Sequence, residues 1–153
     1  TMNILMVCLG NICRSPLAEG ILQSKVDPDA VQVDSAGTAA YHVGELPDRR
    51  SIAVARKYGI DLTYQRARKF TVNDFDAFDV IYAMDQSNYQ NILALARNKD
   101  DEEKVKMILN ESQPNSNNSV PDPYYGIDDG FENVYQMLDE ACNVIVDGLK
   151  TKN

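Results

Sequence analysis

The chain has too few cysteines for a disulfide framework, no apolar run long enough to cross a membrane, and no surplus of basic residues. Its three cysteines are an odd count with no signal-peptide pattern ahead of them, so the expected setting is the reducing cytoplasm rather than a secreted scaffold. No stretch approaches the roughly 20 consecutive apolar residues of a spanning helix. With 15 Lys and Arg against 23 Asp and Glu, the formal net charge of −8 argues against a nucleic-acid surface and against an anionic membrane as partner. No internal repeat is visible, and 153 residues suffice for one domain with a substantial core. Thr1 ahead of Met2 reads as a remnant, which leaves a single domain over residues 2–153.

What the chain does have stands at its start. Ile4-Leu5-Met6-Val7 is a short, continuous apolar run with β-branched members, the pattern of a strand buried on both faces. Ser15 suits an N-cap and Pro16 the first helical position, so a helix is expected from about Ser15 to about Ser24, with Leu17, Ile21 and Leu22 on its buried side. Between strand and helix lie Cys8, Leu9, Gly10, Asn11, Ile12, Cys13 and Arg14. If Gly10 supplies an unusual backbone angle, the N–H groups of this turn can face inward around an anion, joined by the positive end of the helix. Arg14 can grip two oxygens of a phosphoryl group, which Lys cannot imitate. In that field Cys8 is placed to act as a thiolate nucleophile at neutral pH. Cysteine and arginine with five residues between them are common by chance. The preceding strand, Gly10 and the Ser15-Pro16 helix start are the separate requirements that make the pair an anion site.

The rest of the chain alternates strands and helices. Strands are expected at Val31–Ser35, Asp79–Met84 and Val105–Leu109. Helices are expected at Pro47–Tyr58, stopped by Gly59, and from Asp85 to about Arg97, with a long amphipathic last helix carrying Phe131, Val134, Tyr135, Leu138, Ala141, Cys142, Ile145 and Leu149. This is an α/β pattern, a small four-stranded parallel sheet with helices on both faces and a phosphate-binding loop after the first strand. Ligands of such sheets bind at the carboxyl ends of the strands. The polar segment Asn110–Ser119 reads either as a disordered surface connection or as a mobile flap leading into Asp122.

Asp122-Pro123-Tyr124-Tyr125 carries the second motif. Asp-Pro commonly marks a turn, but an alkoxide-type group displaced from phosphorus leaves poorly near neutral pH unless it is protonated, and an acid across from Cys8 would do that. His42, the one histidine, is the competing acid–base candidate, although its Tyr-His-Val-Gly context favours a surface or pocket-rim position. Cys13 lies in the same tight loop as Cys8 and could trap an oxidised Cys8 as a reducible disulfide. Cys142 belongs to the apolar face of the last helix.

Residues Val7 to Pro16 and Asp122 to Tyr125 resemble the two signatures of the low-molecular-weight protein tyrosine phosphatases, and the length and order of elements are similar over essentially the whole chain. The resemblance implies that Cys8 attacks phosphorus, Arg14 binds the phosphoryl oxygens together with residues 9 to 15, and Asp122 protonates the leaving phenol. It implies that Asn11, Ser15 and Ser35 brace the loop, and that Ile12, Tyr41, Tyr124 and Tyr125 wall the substrate pocket. Animal members place a histidine where Gln65 stands ahead of Ala67-Arg68, so that part of the bracing differs here. The implied partners are phosphotyrosine-containing proteins, with inorganic phosphate as product, no cofactor or metal, and a monomer or weak dimer as the working form. Arsenate reductases of the same fold need further cysteines, and Asp79 to Asp101 contains none. Related phosphoarginine phosphatases carry Thr where Ile12 stands and lack the paired tyrosines. A non-catalytic phosphotyrosine-binding module is the alternative from another class, and the presence of Cys8, Arg14 and Asp122 together favours catalysis over it.

Overall fold

The structure is a computed structural model that describes residues 1–125 and 129–151, the side chains of Tyr125, Asp129 and Thr151 excepted. Strands β1 (Met2–Cys8), β2 (Val31–Gly37), β3 (Val80–Ala83) and β4 (Val105–Met107) form one sheet in the order β2-β1-β3-β4. All pairings are parallel, with Ile4 opposite Val33 on one side and Val80 on the other. The helices are α1 (Arg14–Lys25), α2 (Arg49–Lys57), α3 (Asp74–Ala77), α4 (Gln86–Leu93), α5 (Lys99–Lys104), α6 (Leu109–Ser112) and α7 (Asp129–Thr151).

Alternation along β1 sorts its side chains into two cores. Ile4, Met6 and Cys8 join α1 and α7, where Leu17, Ile21 and Leu22 meet Leu138, Ala141, Cys142 and Ile145. Leu5 and Val7 face the other way, onto Phe70, Phe75 of α3 and Ile92 of α4. A strand covered on both sides gains nothing from polar residues, which is why residues 4 to 7 read as an unbroken apolar run. The chain leaves β1 toward β2 and later returns to β3 on the opposite side. The carboxyl end of β1 therefore opens on a crevice between diverging connections.

Several boundaries differ from expectation for identifiable reasons. Helix α1 starts at Arg14 with Cys13 as its N-cap and no side-chain cap, because the Ser15 hydroxyl is engaged elsewhere. Pro16 then sits at the third helical position, where its N–H would still lack an intrahelical partner. Helix α2 ends as foreseen. Gly59, at φ 80°, donates to Arg56 O at 2.9 Å and Ile60 donates to Ala55 O at 3.0 Å, a Schellman stop. The helix expected to reach Arg97 stops at Leu93, since Asn98 caps the next helix and Arg97 is fastened to Asp101 at 2.8 Å. Strand β4 ends at Met107 because Leu109 begins α6.

One ionisable group lies deep between α1 and β2. Glu19 is 3% exposed, and burial pushes its carboxyl up from 4.5 to about 7 against hydrogen bonds from Ser35 and Tyr64. Between those two pH values the folded chain holds one proton more than the unfolded chain, so this group's contribution to stability falls as pH rises through the window. At about 1.4 kcal/mol per pH unit the loss amounts to about 3 kcal/mol. Urea denaturation at about pH 5 and about pH 8 should show that Glu19→Gln removes this component. An unchanged pH difference would mean that Glu19 ionises normally in the folded chain.

Candidate active site

The inner side of the turn after β1 is braced by one side chain. The left-handed residue is Asn11, at φ 59°, and not Gly10. Asn is the non-glycine type best suited to that region. Gly10 is constrained by space instead, since a Cβ there would lie 3.0 Å from His42 Cδ2. The Asn11 amide is fully engaged. The Arg68 N–H donates to Oδ1 at 3.0 Å, while Nδ2 donates to Ser15 Oγ at 2.8 Å and to Ser35 Oγ at 2.9 Å. Because a backbone N–H can only donate, the amide has one possible orientation, and Ser15 Oγ is an acceptor toward it. The Ser15 proton is then free for Cys8 Sγ, 3.0 Å away. Asn11, Ser15 and Ser35 all stand behind the loop, buried, and none of them lines the cavity in front.

The outer face of the turn is pinned to β2 by the backbone. Thr38 N–H donates to Cys8 O at 2.9 Å and Ala39 N–H to Leu9 O at 3.0 Å. Gly37 permits this approach, as a Cβ there would stand 2.7 Å from Leu9 O. Among the described residues the N–H groups of Leu9, Gly10, Asn11, Ile12 and Cys13 meet no protein acceptor, so they remain available to an anion at the end of α1.

Arg14 is 3% exposed and lies between two acids. Its Nη1 donates to Asp85 Oδ2 at 2.7 Å and to Val120 O at 3.0 Å, while Nη2 stands 3.7 Å from Asp122 Oδ2. Burial opposes the charge of Arg14, but Cys8, Asp85 and Asp122 outweigh it and push the guanidinium above its ordinary value. Asp85, which sequence reasoning overlooked, also caps α4 by accepting from Asn88 N–H at 2.7 Å. Its two oxygens thereby tie the end of β3 to Arg14. An Asp before a helical pattern is a legible cap, but nothing local reveals that its second oxygen faces residue 14.

Asp122 is set by its own turn. Oδ1 accepts from Tyr124 N–H at 3.0 Å, which leaves Oδ2 toward Arg14. The turn is held from outside by Arg50, which donates to Tyr124 O at 3.2 Å and lies over the rings of Tyr124 and Phe131 at 5.5 and 4.6 Å. Asp48 fixes Arg50 at 3.0 and 3.1 Å, caps α2, and donates its own N–H to Ile12 O at 2.8 Å. Burial pushes the Asp48 carboxyl up, but its bonds to Arg50 prevail and hold it below the usual range. The segment 110–119 is not a free flap. Asn117 N–H donates to Asn110 Oδ1 at 2.8 Å, Gln86 N–H to Ser119 Oγ at 3.2 Å, and Val120 N–H to Met84 O at 2.8 Å.

These elements enclose a cavity of about 260 Å³ lined by Cys8, Leu9, Gly10, Ile12, Cys13, Arg14, Tyr41, His42, Asp122 and Tyr124. The residues foreseen for nucleophile, anion loop, acid and wall thus meet at one place, apart from Asn11 and Ser15, whose side chains stand behind the loop, and Tyr125, whose side chain lies outside the described residues. His42 is also on the wall, with Nδ1 on Glu45 at 2.8 Å. Gln65 makes no bond to Asn11, Ser15 or Ser35 among the described residues; it donates to Pro16 O at 3.1 Å and its side chain meets Tyr64. Burial, with the charges of Asp48, Cys8 and Asp122, pushes the Cys13 thiol up to about 12, so it stays protonated beside Cys8. Cys142 is core, as foreseen.

The family model for low molecular weight phosphotyrosine protein phosphatase matches residues 3–153. The protein of that name from Schizosaccharomyces pombe is 41% identical over 150 residues, 94% of this chain and 95% of its own length. The human protein of the same name is 36% identical over 152 residues, covering 96% and 95%. A crystal structure of a protein tyrosine phosphatase from Entamoeba histolytica, with Hepes in its active site, superposes with a TM-score of 0.91 at 34% identity over 99% of both chains. With the loop, the buried arginine and the Asp-Pro turn all in place, the chain belongs to the low molecular weight phosphotyrosine protein phosphatase family.

Proposed function

We propose that the chain hydrolyses phosphotyrosine in protein substrates, and small aryl phosphates, through a phosphocysteine on Cys8. The observation that carries this reading is the convergence of Cys8, Arg14 and Asp122 on one cavity, which is also lined by loop residues whose N–H groups meet no acceptor among the described residues. The phosphoryl group sits in those N–H groups and takes Nη2 of Arg14, whose Nη1 is already committed to Asp85 and Val120. Cys8 Sγ attacks phosphorus as the P–O bond to the phenol breaks, and Asp122 Oδ2 gives its proton to the departing oxygen. Water then attacks phosphorus, Asp122 takes the water's proton, and the S–P bond breaks to return the thiolate and release phosphate. The Ser15 hydroxyl stabilises that leaving thiolate. Tyr41 and Tyr124 flank the aryl ring, an arrangement worth about 0.5 to 1.5 kcal/mol beyond burial and enough to favour aryl over alkyl esters.

Cys8→Ser should abolish turnover of a phosphotyrosine peptide while keeping phosphate binding, and Arg14→Ala should lose both. Asp122→Ala should slow substrates with poor leaving groups by about 10²- to 10⁴-fold and those with good leaving groups far less, the signature of a lost general acid. An equal loss across a leaving-group series would remove Asp122 from that role. Preference for a phosphoarginine substrate in parallel assays would overturn the substrate class.

Cys13 supports a second expectation for the same pocket. Its thiol is placed to capture a Cys8 sulfenic acid, releasing water and forming a disulfide, but its high pKa of about 12 slows the attack near neutrality. Peroxide inactivation followed by dithiothreitol treatment should restore activity in the wild type and much less in Cys13→Ser. Equal recovery in both would show that Cys13 is not the trap.

A further inference from the structure

Behind the nucleophile, a line of hydrogen bonds ends on a buried carboxyl group that the proposed reaction does not use. Ser35 Oγ accepts from Asn11 Nδ2 at 2.9 Å and donates to Glu19 Oε1 at 2.6 Å. The other carboxyl oxygen, Oε2, accepts from Tyr64 Oη at 2.8 Å. Glu19 comes from α1, Ser35 from β2, and Tyr64 from the segment that also supplies the Arg68 N–H to Asn11. The remaining charges facing the group are Asp34, which opposes its ionisation, and Arg68, which favours it. They are paired with each other at 3.2 Å and act on it in opposite directions.

The donor directions are forced. Asn11 Nδ2 spends its two protons on Ser15 and Ser35, so the Ser35 proton must turn to Glu19. We propose that Glu19 is a positioning residue for the nucleophile: by accepting the Ser35 proton it makes Ser35 a pure acceptor for Asn11, and so holds the left-handed turn that aims the Ser15 hydroxyl at Cys8 Sγ. This rests on Cys8 being the nucleophile. Tyr64 completes the device. Glu19 titrates at about 7, so both its forms are present near neutrality. The added proton goes to Oε2, where Tyr64 Oη becomes the acceptor. The Tyr64 side chain is 59% exposed and turns its own proton to water. Oε1 keeps accepting from Ser35 in either form, and the link to Cys8 survives acidification.

The test compares Glu19→Gln, Glu19→Ala, Ser35→Ala, the Glu19→Ala/Ser35→Ala double variant and Tyr64→Phe. Two quantities are read: kcat and KM on an aryl phosphate, and the pH dependence of Cys8 alkylation by iodoacetamide, followed by the mass of the Cys8 peptide. In Glu19→Gln the carbonyl still accepts from Ser35 and the amide donates to Tyr64, so both readouts should stay within about twofold of wild type, less than the cost of one lost hydrogen bond. In Glu19→Ala the alkylation midpoint should move to higher pH and kcat should fall about tenfold, the size of one such loss, with KM little changed. The double variant should be no worse than Ser35→Ala alone. In Tyr64→Phe, kcat should drop more steeply than in wild type as pH falls below about 7, because a protonated Oε2 has lost its acceptor. An unshifted alkylation midpoint in a folded Glu19→Ala, or additive losses in the double variant, would overturn the proposal. If Glu19→Ala does not fold, a Tyr64→Phe profile superimposable on wild type would overturn it. Alkylation needs no turnover, so it still tests the Glu19–Cys8 link if the phosphatase reading fails.

Discussion

The site depends on one amide. Asn11 stands in a backbone region that costs most residues about 1 kcal/mol or more, and three hydrogen bonds to its side chain offset that cost. Those bonds reach α1, β2 and the strand-like segment beside β2, so the curvature of the anion loop is set by elements that are themselves fixed by the sheet. Without the amide, the loop keeps its backbone pins to Thr38, Ala39 and Asp48 but loses the bonds that offset the left-handed turn. The Ser15 hydroxyl also loses the partner that dictates which way its proton points.

Charge placement follows a second constraint. In a protein of net charge −8 the pocket must be made attractive to a phosphate by short-range means, which here are backbone N–H groups, the end of α1 and a single buried cation. Arg14 is kept charged and aimed by Asp85 and the Val120 carbonyl, which use one of its amino groups and leave the other facing the cavity. A buried arginine without such partners would cost several kcal/mol. The same carbonyl lies two residues before Asp122, so the contact that orients the cation also locates the acid. Asp48 and Arg50 hold the far side of that turn.

Much of this was legible in the chain and some was not. The order of strands and helices, the anion loop and the Asp-Pro turn each leave a local mark, because apolar runs, caps and turn residues act over a few positions. Gly10 was misread as the strained position since glycine is the usual occupant of left-handed turns. Only the three long-range bonds to Asn11 reveal otherwise. Ser15 looked like a cap because its hydroxyl was judged against its neighbours in sequence rather than against Cys8 in front and Asn11 beside it. On composition alone, segment 110–119 reads as a disordered connection or a mobile flap, whereas Asn110 and Asn117 hold each other by two hydrogen bonds, the latter at φ 53°. Asp85, Asp48 and Arg50 act across 71, 36 and 74 positions in sequence, which no periodicity reports.

Those separations bear on how the molecule comes into being. The nucleophile loop is among the earliest segments of the chain, yet its brace awaits Arg68 and its cation awaits Asp85 and Val120. Closing contacts of such reach is entropically slow and rewards the chain only once the whole parallel sheet is assembled. A partly folded molecule can therefore hold the β1–β2 pair and the first helix while presenting an ordinary, uncommitted thiol. Competence is a property of the completed tertiary structure, and a recovering population regains it after its helices have already returned.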